Sequence, residues 1–237
     1  MRKALTLARR ELMGYFVSPI AYIIGAGFLL LSAGWFFVNL RIGGEASLRP
    51  LFDGMAVLMV LAVPLLTMGL LSREFDSGTI ETLMTSPVTD TQVILGKFIG
   101  VMVFYLALLA STVVFLGLMV IYGQPDAGVA IMGYLGMILL GAAYVSVGIF
   151  ASTLTRHQIV SAIAAIGILA FFVILMGFVV RLGVRPWADL AAHLNAMTYF
   201  KDFSRGVLDS RGLVYFLSAT ALFLFLSVKT LESRRWR

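Results

Sequence analysis

Residues 95–122 read LGKFIGVMVFYLALLASTVVFLGLMVIY, and Lys97, near the start, is their only charge. As a helix rising about 1.5 Å per residue, this run is about 42 Å long. That exceeds the roughly 30 Å hydrocarbon core of a bilayer, which about 20 apolar residues can cross. Five more stretches have the same character: 19–40, 54–71, 129–152, 159–180 and 213–230. None carries a charge at its middle, and Lys97, Arg181 and Lys229 fall at ends, where long basic side chains can snorkel to the interface. The pattern predicts an all-α, polytopic membrane protein with six transmembrane helices. Pro64 removes a backbone donor inside the second span and is expected to kink it. Gly133, Gly136, Gly141 and Gly148 recur at spacings that let helices approach closely in lipid.

Composition agrees with that reading. Of 237 residues, 60% are hydrophobic and 13% charged, with a mean hydropathy of +0.99, against roughly 25% charged residues in soluble domains. The chain has no cysteine, which excludes disulfides, thiolate metal sites and cysteine nucleophiles. The net charge of +6 does not form a soluble basic face. Its basic residues cluster beside apolar spans (Arg2, Lys3, Arg9 and Arg10 at one end, Lys229, Arg234, Arg235 and Arg237 at the other), the pattern of headgroup contact rather than nucleic-acid binding. The first apolar run is too long for the roughly 7–15-residue core of a secretory signal and is expected to be a retained span.

Six spans put both termini on one side. Counted over the loops, Lys and Arg favour that side as cytoplasmic, N-in and C-in. Three segments lie outside the spans. Residues 1–18 place Leu5, Ala8, Leu12 and Phe16 at helical spacing and are expected to form an amphipathic helix at the cytoplasmic face. Residues 181–212 form an outer connector whose aromatics, among them Trp187, Tyr199, Phe200 and Phe203, suit the interface. Residues 72–94 are the cytoplasmic connection between the second and third spans. Within it, Asp76 or Ser77 can cap a helix start, Glu81 suits a first turn, and Pro87 closes an element of about ten residues. Ile80, Leu83, Met84 and Pro87 give this element, at about 76–86, a small apolar face. A helix so short needs a surface to pack on, either headgroups or another protein.

Glu74, Gly78-Thr79, Glu81, Leu83, Pro87 and then Gly96-Lys97 resemble the signature of ABC-2-type transporter permeases. Arg10-Glu11-Leu12, Tyr15-Phe16 and Ser18-Pro19-Ile20 are similar to the same family's entry helix and first-span start. Residues 199–209, running into Val214-Tyr215-Phe216, resemble a narrower branch that includes the gliding-motility permeases and those serving nitrous-oxide reductase maturation. The likeness covers essentially the whole chain.

The resemblance implies an exporter-type (type V exporter-like) permease fold in a bacterial cytoplasmic membrane, with residues 1–18 as the membrane-surface elbow helix and 19–237 as the six-span domain. It implies a separate cytoplasmic ABC ATPase dimer that binds the ATP and Mg, and a second permease copy or a related permease. By position, 76–86 would be the main coupling helix, with Arg73, Glu74, Asp76, Gly78, Thr79, Glu81, Thr82, Leu83 and Pro87 in the ATPase-coupling segment. Arg9, Arg10, Glu11, Arg156 and His157 would make secondary ATPase contacts. Trp187, Tyr199, Phe200, Phe203 and Arg205 would serve an extracytoplasmic accessory partner or a gate. The chain has no phosphate-binding glycine loop of its own, since Gly96-Lys97 is followed by Phe98 and has no glycine five residues before it. No cofactor, metal or catalytic residue is expected in this chain.

Other classes fare less well. An intramembrane hydrolase needs facing catalytic groups, whereas the two histidines, His157 and His193, belong to opposite membrane faces. An ion-coupled carrier usually keeps a carboxylate near the bilayer midplane, and Asp53, Glu74, Asp126 and Asp189 are all expected outside the spans. A scaffold that transmits force to an outer-face partner without moving cargo would use the same coupling helix. A polar path lined by Ser32, Asn39, Thr67, Ser111, Thr112 or Ser146 would distinguish transport from that alternative.

Overall fold

The computed structural model of the protein describes residues 2–43, 48–79, 88–122 and 126–235. Among these, every regular element is helical: α1 (Arg2–Val17), α2 (Pro19–Gly43), α3 (Arg49–Thr67), α4 (Ser72–Asp76), α5 (Asp90–Ser111), α6 (Val113–Tyr122), α7 (Ala127–Leu154), α8 (Gln158–Ala170), a π-helical turn at Phe171–Leu175, α9 (Met176–Leu182), α10 (Trp187–Leu194), α11 (Ala196–Ser204) and α12 (Ser210–Arg235). Six helical stretches are long and apolar enough to cross a membrane: Pro19–Leu40, Arg49–Asp76, Asp90–Ile121, Ala127–Leu154, Gln158–Leu182 and Ser210–Arg234. The chain is a multi-pass membrane protein.

α7 is the central post. It packs against α12, α3, α8, α11 and α5, and it is the most buried of the spans. Its glycines explain how. A Cβ on Gly148 would lie 2.0 Å from Thr67 Oγ1, and one on Gly141 would lie 2.3 Å from the Tyr105 ring. The neighbouring helices therefore rest directly on the α7 backbone, the close approach that small residues permit in lipid. Thr89 and Gln92 form a reciprocal capping box at the start of α5, and Asp126 caps α7 by accepting from the Gly128 amide at 2.8 Å; each satisfies backbone donors that a helix start leaves free.

Two expectations need correction. The second span runs from Arg49 to Asp76 rather than 54–71, so Asp53 and Glu74 lie within it, near its two ends, and not outside. Pro64 lies inside α3, with its carbonyl accepting from the Met68 amide at 2.9 Å, and the helix itself is interrupted over 68–71. The helix expected to start at 76 does not start there: Asp76 ends α4, and 77–79 form a turn in which Gly78 has a φ of +70°. The rest of that predicted helix, residues 80–86, lies outside the described residues, as does Pro87.

The connector between the last two spans enters the bundle. Phe200 and Phe203 are fully buried, packed where a Cβ on Gly136 would meet Phe203 at 2.6 Å. They are core residues rather than interfacial aromatics, because the bare α7 backbone at Gly136 leaves room for a ring. At the turn between α10 and α11, Asn195 is buried and caps α11 through the Met197 amide at 2.9 Å. Ala196 lines a cleft together with Ala143 and Tyr144 of α7.

Candidate functional site

At the end of the bundle that carries α1, four segments converge: α1, α4 with its following turn, the first turns of α5, and the α7–α8 link beside the end of α12. The first three meet in a buried ion cluster. Lys97 Nζ donates to Glu11 Oε1 at 2.9 Å and to Glu74 Oε1 at 2.7 Å, and Arg10 lies 3.6 Å from the same Glu74 oxygen. The Lys97 side chain is only 3% exposed. A lone ammonium taken out of water costs several kcal/mol. Two carboxylates and one further guanidinium here make a neutral set, which is how such a group is tolerated. Lys97 does not snorkel; it ties α1 and the end of the second span to the third span.

The tie is reinforced on both sides. α1 packs along α5 so closely that a Cβ on Gly100 would fall 2.8 Å from Glu11 Cβ and 3.0 Å from the Ala8 carbonyl oxygen. Tyr15 stacks on Phe104, with 5.1 Å between ring centroids. Its hydroxyl donates to the Leu66 carbonyl at 2.7 Å. That carbonyl is available because the α3 break diverts its usual helical donor: the Leu70 amide bonds Thr67 instead, at 3.1 Å. Burial pushes the Tyr15 phenol up from its ordinary value, with the Glu11 carboxylate adding to the effect, so it is held as a neutral donor.

On the α4 side, the Leu71 amide donates to Ser152 Oγ at 3.0 Å, and the Ser72 hydroxyl donates to the Met68 carbonyl. Phe75 is buried beneath the Arg234 guanidinium, 4.5 Å from the ring centroid. The same arginine donates to the Leu154 carbonyl, the end of α7, at 2.6 Å. α4 is thus fastened to α5, α7 and α12 together.

Beyond that knot the surface is polar and open. Arg73, Asp76, Ser77, Gly78 and Thr79 are exposed, as are Arg9 and Arg10, and Arg156 and His157 in the α7–α8 link. These predicted contacts share one end of the molecule, while Glu11 and Glu74 turn inward to Lys97. Glu81, Thr82, Leu83 and Pro87 lie outside the described residues. Trp187, Tyr199, Phe200, Phe203 and Arg205 belong to the connector at the opposite end. Trp187 and Arg205 are exposed, Tyr199 stacks on Tyr215 at 4.6 Å, and Phe200 and Phe203 are buried. Among the described residues no group of three His, Asp or Glu side chains could hold a metal ion. Sequence reasoning missed the roles of Lys97, Phe75, Ser152 and Arg234. A single lysine set between Gly96 and Gly100 in an apolar run was the available signal for the first.

A six-span helical bundle with a polar knot binding α1 to the end of its second span defines a multi-pass helical membrane protein. Residues 36–205 match the ABC-2 family transporter proteins. The chain belongs to that family. It is similar to the probable multidrug ABC transporter permease YbhR of Escherichia coli (strain K12), with 27% identity over 158 residues, covering 64% of this chain and 41% of that protein. It is also similar to the probable multidrug ABC transporter permease YbhS of the same organism, with 28% identity over 145 residues, covering 60% and 36%. The chain thus spans less than half the length of these curated relatives. They lend no support to the narrower branch that residues 199–216 resemble.

Proposed function

We propose that this chain is the membrane-spanning permease subunit of an ATP-driven, exporter-class ABC transporter, coupling ATP hydrolysis in a separate nucleotide-binding subunit to export of a substrate. The observation that carries the reading is the Lys97 knot: one buried cation joins α1, the end of the second span and α5 directly above the exposed turn 76–79. A docked ATPase that displaced this turn would move the elbow helix and two spans as a unit. In this reading the α1 end faces the cytoplasm, with N-in and C-in topology in a bacterial inner membrane. A second permease copy or a related permease completes the pathway, and an extracytoplasmic accessory protein binds near residues 181–212. YbhR and YbhS are named as probable multidrug permeases, which favours drugs as cargo. The test is purification of the tagged chain in mild detergent from its native host. A stoichiometric P-loop ATPase whose turnover continues while transport is lost in Glu81→Lys supports the proposal; recovery of the chain without any ATPase removes it.

A second reading is favoured by one observation. Ser32, Thr67, Thr112 and Ser146 are fully buried within the single chain, and the last three donate to carbonyls of their own helices at 2.6–2.9 Å. Those three hydroxyls are therefore satisfied inside their own chain, while Ser32 Oγ has no hydrogen-bond partner among the described residues, Asn39 is half-buried and Ser111 is exposed. A subunit that transmits force to an outer-face partner without moving cargo would keep hydroxyls satisfied in this way. Cargo uptake into inverted vesicles containing the complex separates the two readings.

A further inference from the structure

We infer that a small cavity between the α1–α2 break and the α3–α4 break seats the headgroup of an anionic phospholipid, a phosphodiester carrying free hydroxyls, as a resident lipid and not as cargo. The cavity has a volume of about 110 Å³, well short of the roughly 300–1,000 Å³ of sites that enclose a whole small molecule. Its polar wall is formed by Glu11, Ser18 and Arg73, and its apolar wall includes Ile20, Ile24 and Leu65. Ser18 is the single residue between α1 and α2, and Arg73 lies in α4, just past the interruption of the second span. Ile20 and Leu65 are 46% and 38% exposed and belong to the first two spans. The wall therefore runs from the polar end of the bundle onto a face that acyl chains cover, which sets the cavity at headgroup depth in the leaflet on the α1 side.

Three features select this occupant. The first is Arg73. Its guanidinium lies over Gly69 of the interrupted segment, where a Cβ would sit 3.2 Å from Nη2. Among the described residues it joins no ion pair within 4.0 Å. A guanidinium fork matches a phosphate in two parallel hydrogen bonds. The second is charge, counted over every element that meets at this end. Glu11 and Glu74 share Lys97, and Arg10 lies against Glu74; Arg73 leaves that set one positive charge in excess. Around it Arg9 and Arg156 are exposed with Asp76, Lys229 pairs with Glu232, Arg234 covers Phe75 and Asp90 opens α5. With histidine neutral, the described side chains of this end thus remain net positive, so an anion is attracted. The third is Glu11, which borders the cavity and meets Lys97 through Oε1 at 2.9 Å. Its carboxylate can accept from a headgroup hydroxyl, whereas a choline headgroup has no donor to offer it. The inference concerns the chain's own fit to its leaflet and stands apart from the permease reading.

The test uses the full chain in mild detergent without any ATPase, titrated with dioleoyl phosphatidylglycerol or dioleoyl phosphatidylcholine and read by native mass spectrometry. We expect one phosphatidylglycerol per chain, held about tenfold more tightly than phosphatidylcholine. Arg73→Gln should remove that preference. So should Gly14→Leu: Gly14 borders the cavity, and a Cβ there meets nothing within 4 Å, so the new side chain blocks the mouth without disturbing a neighbour. Arg156→Gln, at the same end but outside the cavity wall, should keep the preference. Glycerophosphoglycerol, the same headgroup without acyl chains, should not displace the lipid even in large excess. Equal binding of the two lipids, a preference that survives Arg73→Gln or falls as far in Arg156→Gln, or full displacement by glycerophosphoglycerol would overturn the site. Selective binding in a chain that recovers no ATPase would keep the site and remove only the permease reading.

Discussion

Replacing Lys97 by methionine should unfasten α1 and α4 while leaving the bundle in place. Methionine keeps most of the lysine's volume but removes the ammonium, stranding Glu11 and Glu74, which are 17% and 14% exposed. Breaking a buried pair by deleting one partner costs about 3–5 kcal/mol. Both carboxylates retain some water, so the low end applies, about 3 kcal/mol. At 1.4 kcal/mol per decade, that multiplies the undocked population of α1 about a hundredfold. Hydrogen exchange in nanodiscs reads this directly, as faster exchange of the amides of residues 8–16 and 72–76 with little change in α7. The triple variant Lys97→Met, Glu11→Gln, Glu74→Gln should recover much of the protection, because the stranded charges are gone. Exchange within about threefold of wild type in Lys97→Met, or a triple variant no better than the single, would refute the electrostatic account.

Three further outcomes follow from neighbouring contacts. Gly100→Val should displace α1 even with the ion cluster intact, since its first carbon would sit 2.8 Å from Glu11 Cβ; a cysteine introduced at Ala8 would then react with a maleimide that it resists in the parent. Tyr15→Phe removes the bond to Leu66 and should cost about 1 kcal/mol, read as roughly fivefold faster exchange in α1. Because burial raises this phenol, its contribution is complete below about pH 10 and is lost above it, so the difference between Tyr15→Phe and wild type should be constant from pH 6 to 9. Gly78→Val forces a β-branched residue to a φ of +70°, a conformation costing about 1–2 kcal/mol for ordinary residues. It should lower ATP-driven transport without lowering the amount of chain inserted, whereas Gly78→Asn, which tolerates that backbone better, should retain more activity.

The spans were legible because lipid excludes charge: a run such as 95–122 has one reading. Their ends were less so. The second span outruns its apolar stretch because Asp53 and Glu74 find partners or polar surroundings at its two ends, which composition cannot foresee. Lys97 was placed correctly at a span end and given the wrong behaviour. Whether such a lysine reaches for headgroups or for carboxylates depends on Glu11 and Glu74, which are 86 and 23 residues distant in sequence. The connector aromatics were misplaced for a related reason. Phe200 and Phe203 look interfacial until α7 offers them a bare backbone at Gly136, a match between two elements that neither segment announces. The polar face at Arg9, Arg10, Asp76, Arg156 and His157 was brought together by topology alone, since an even number of crossings returns these loops to one side.

The claim that force enters beside α4 is tested most directly by cross-linking. The natural chain has no cysteine, so Asp76→Cys and His157→Cys each present a single thiol. In membranes containing the whole complex, both should cross-link to a nucleotide-binding subunit, with yields that change when ATP is trapped by vanadate, while Trp187→Cys at the opposite end should not. Cross-linking of that subunit to position 187, or to neither position 76 nor 157, would contradict the account.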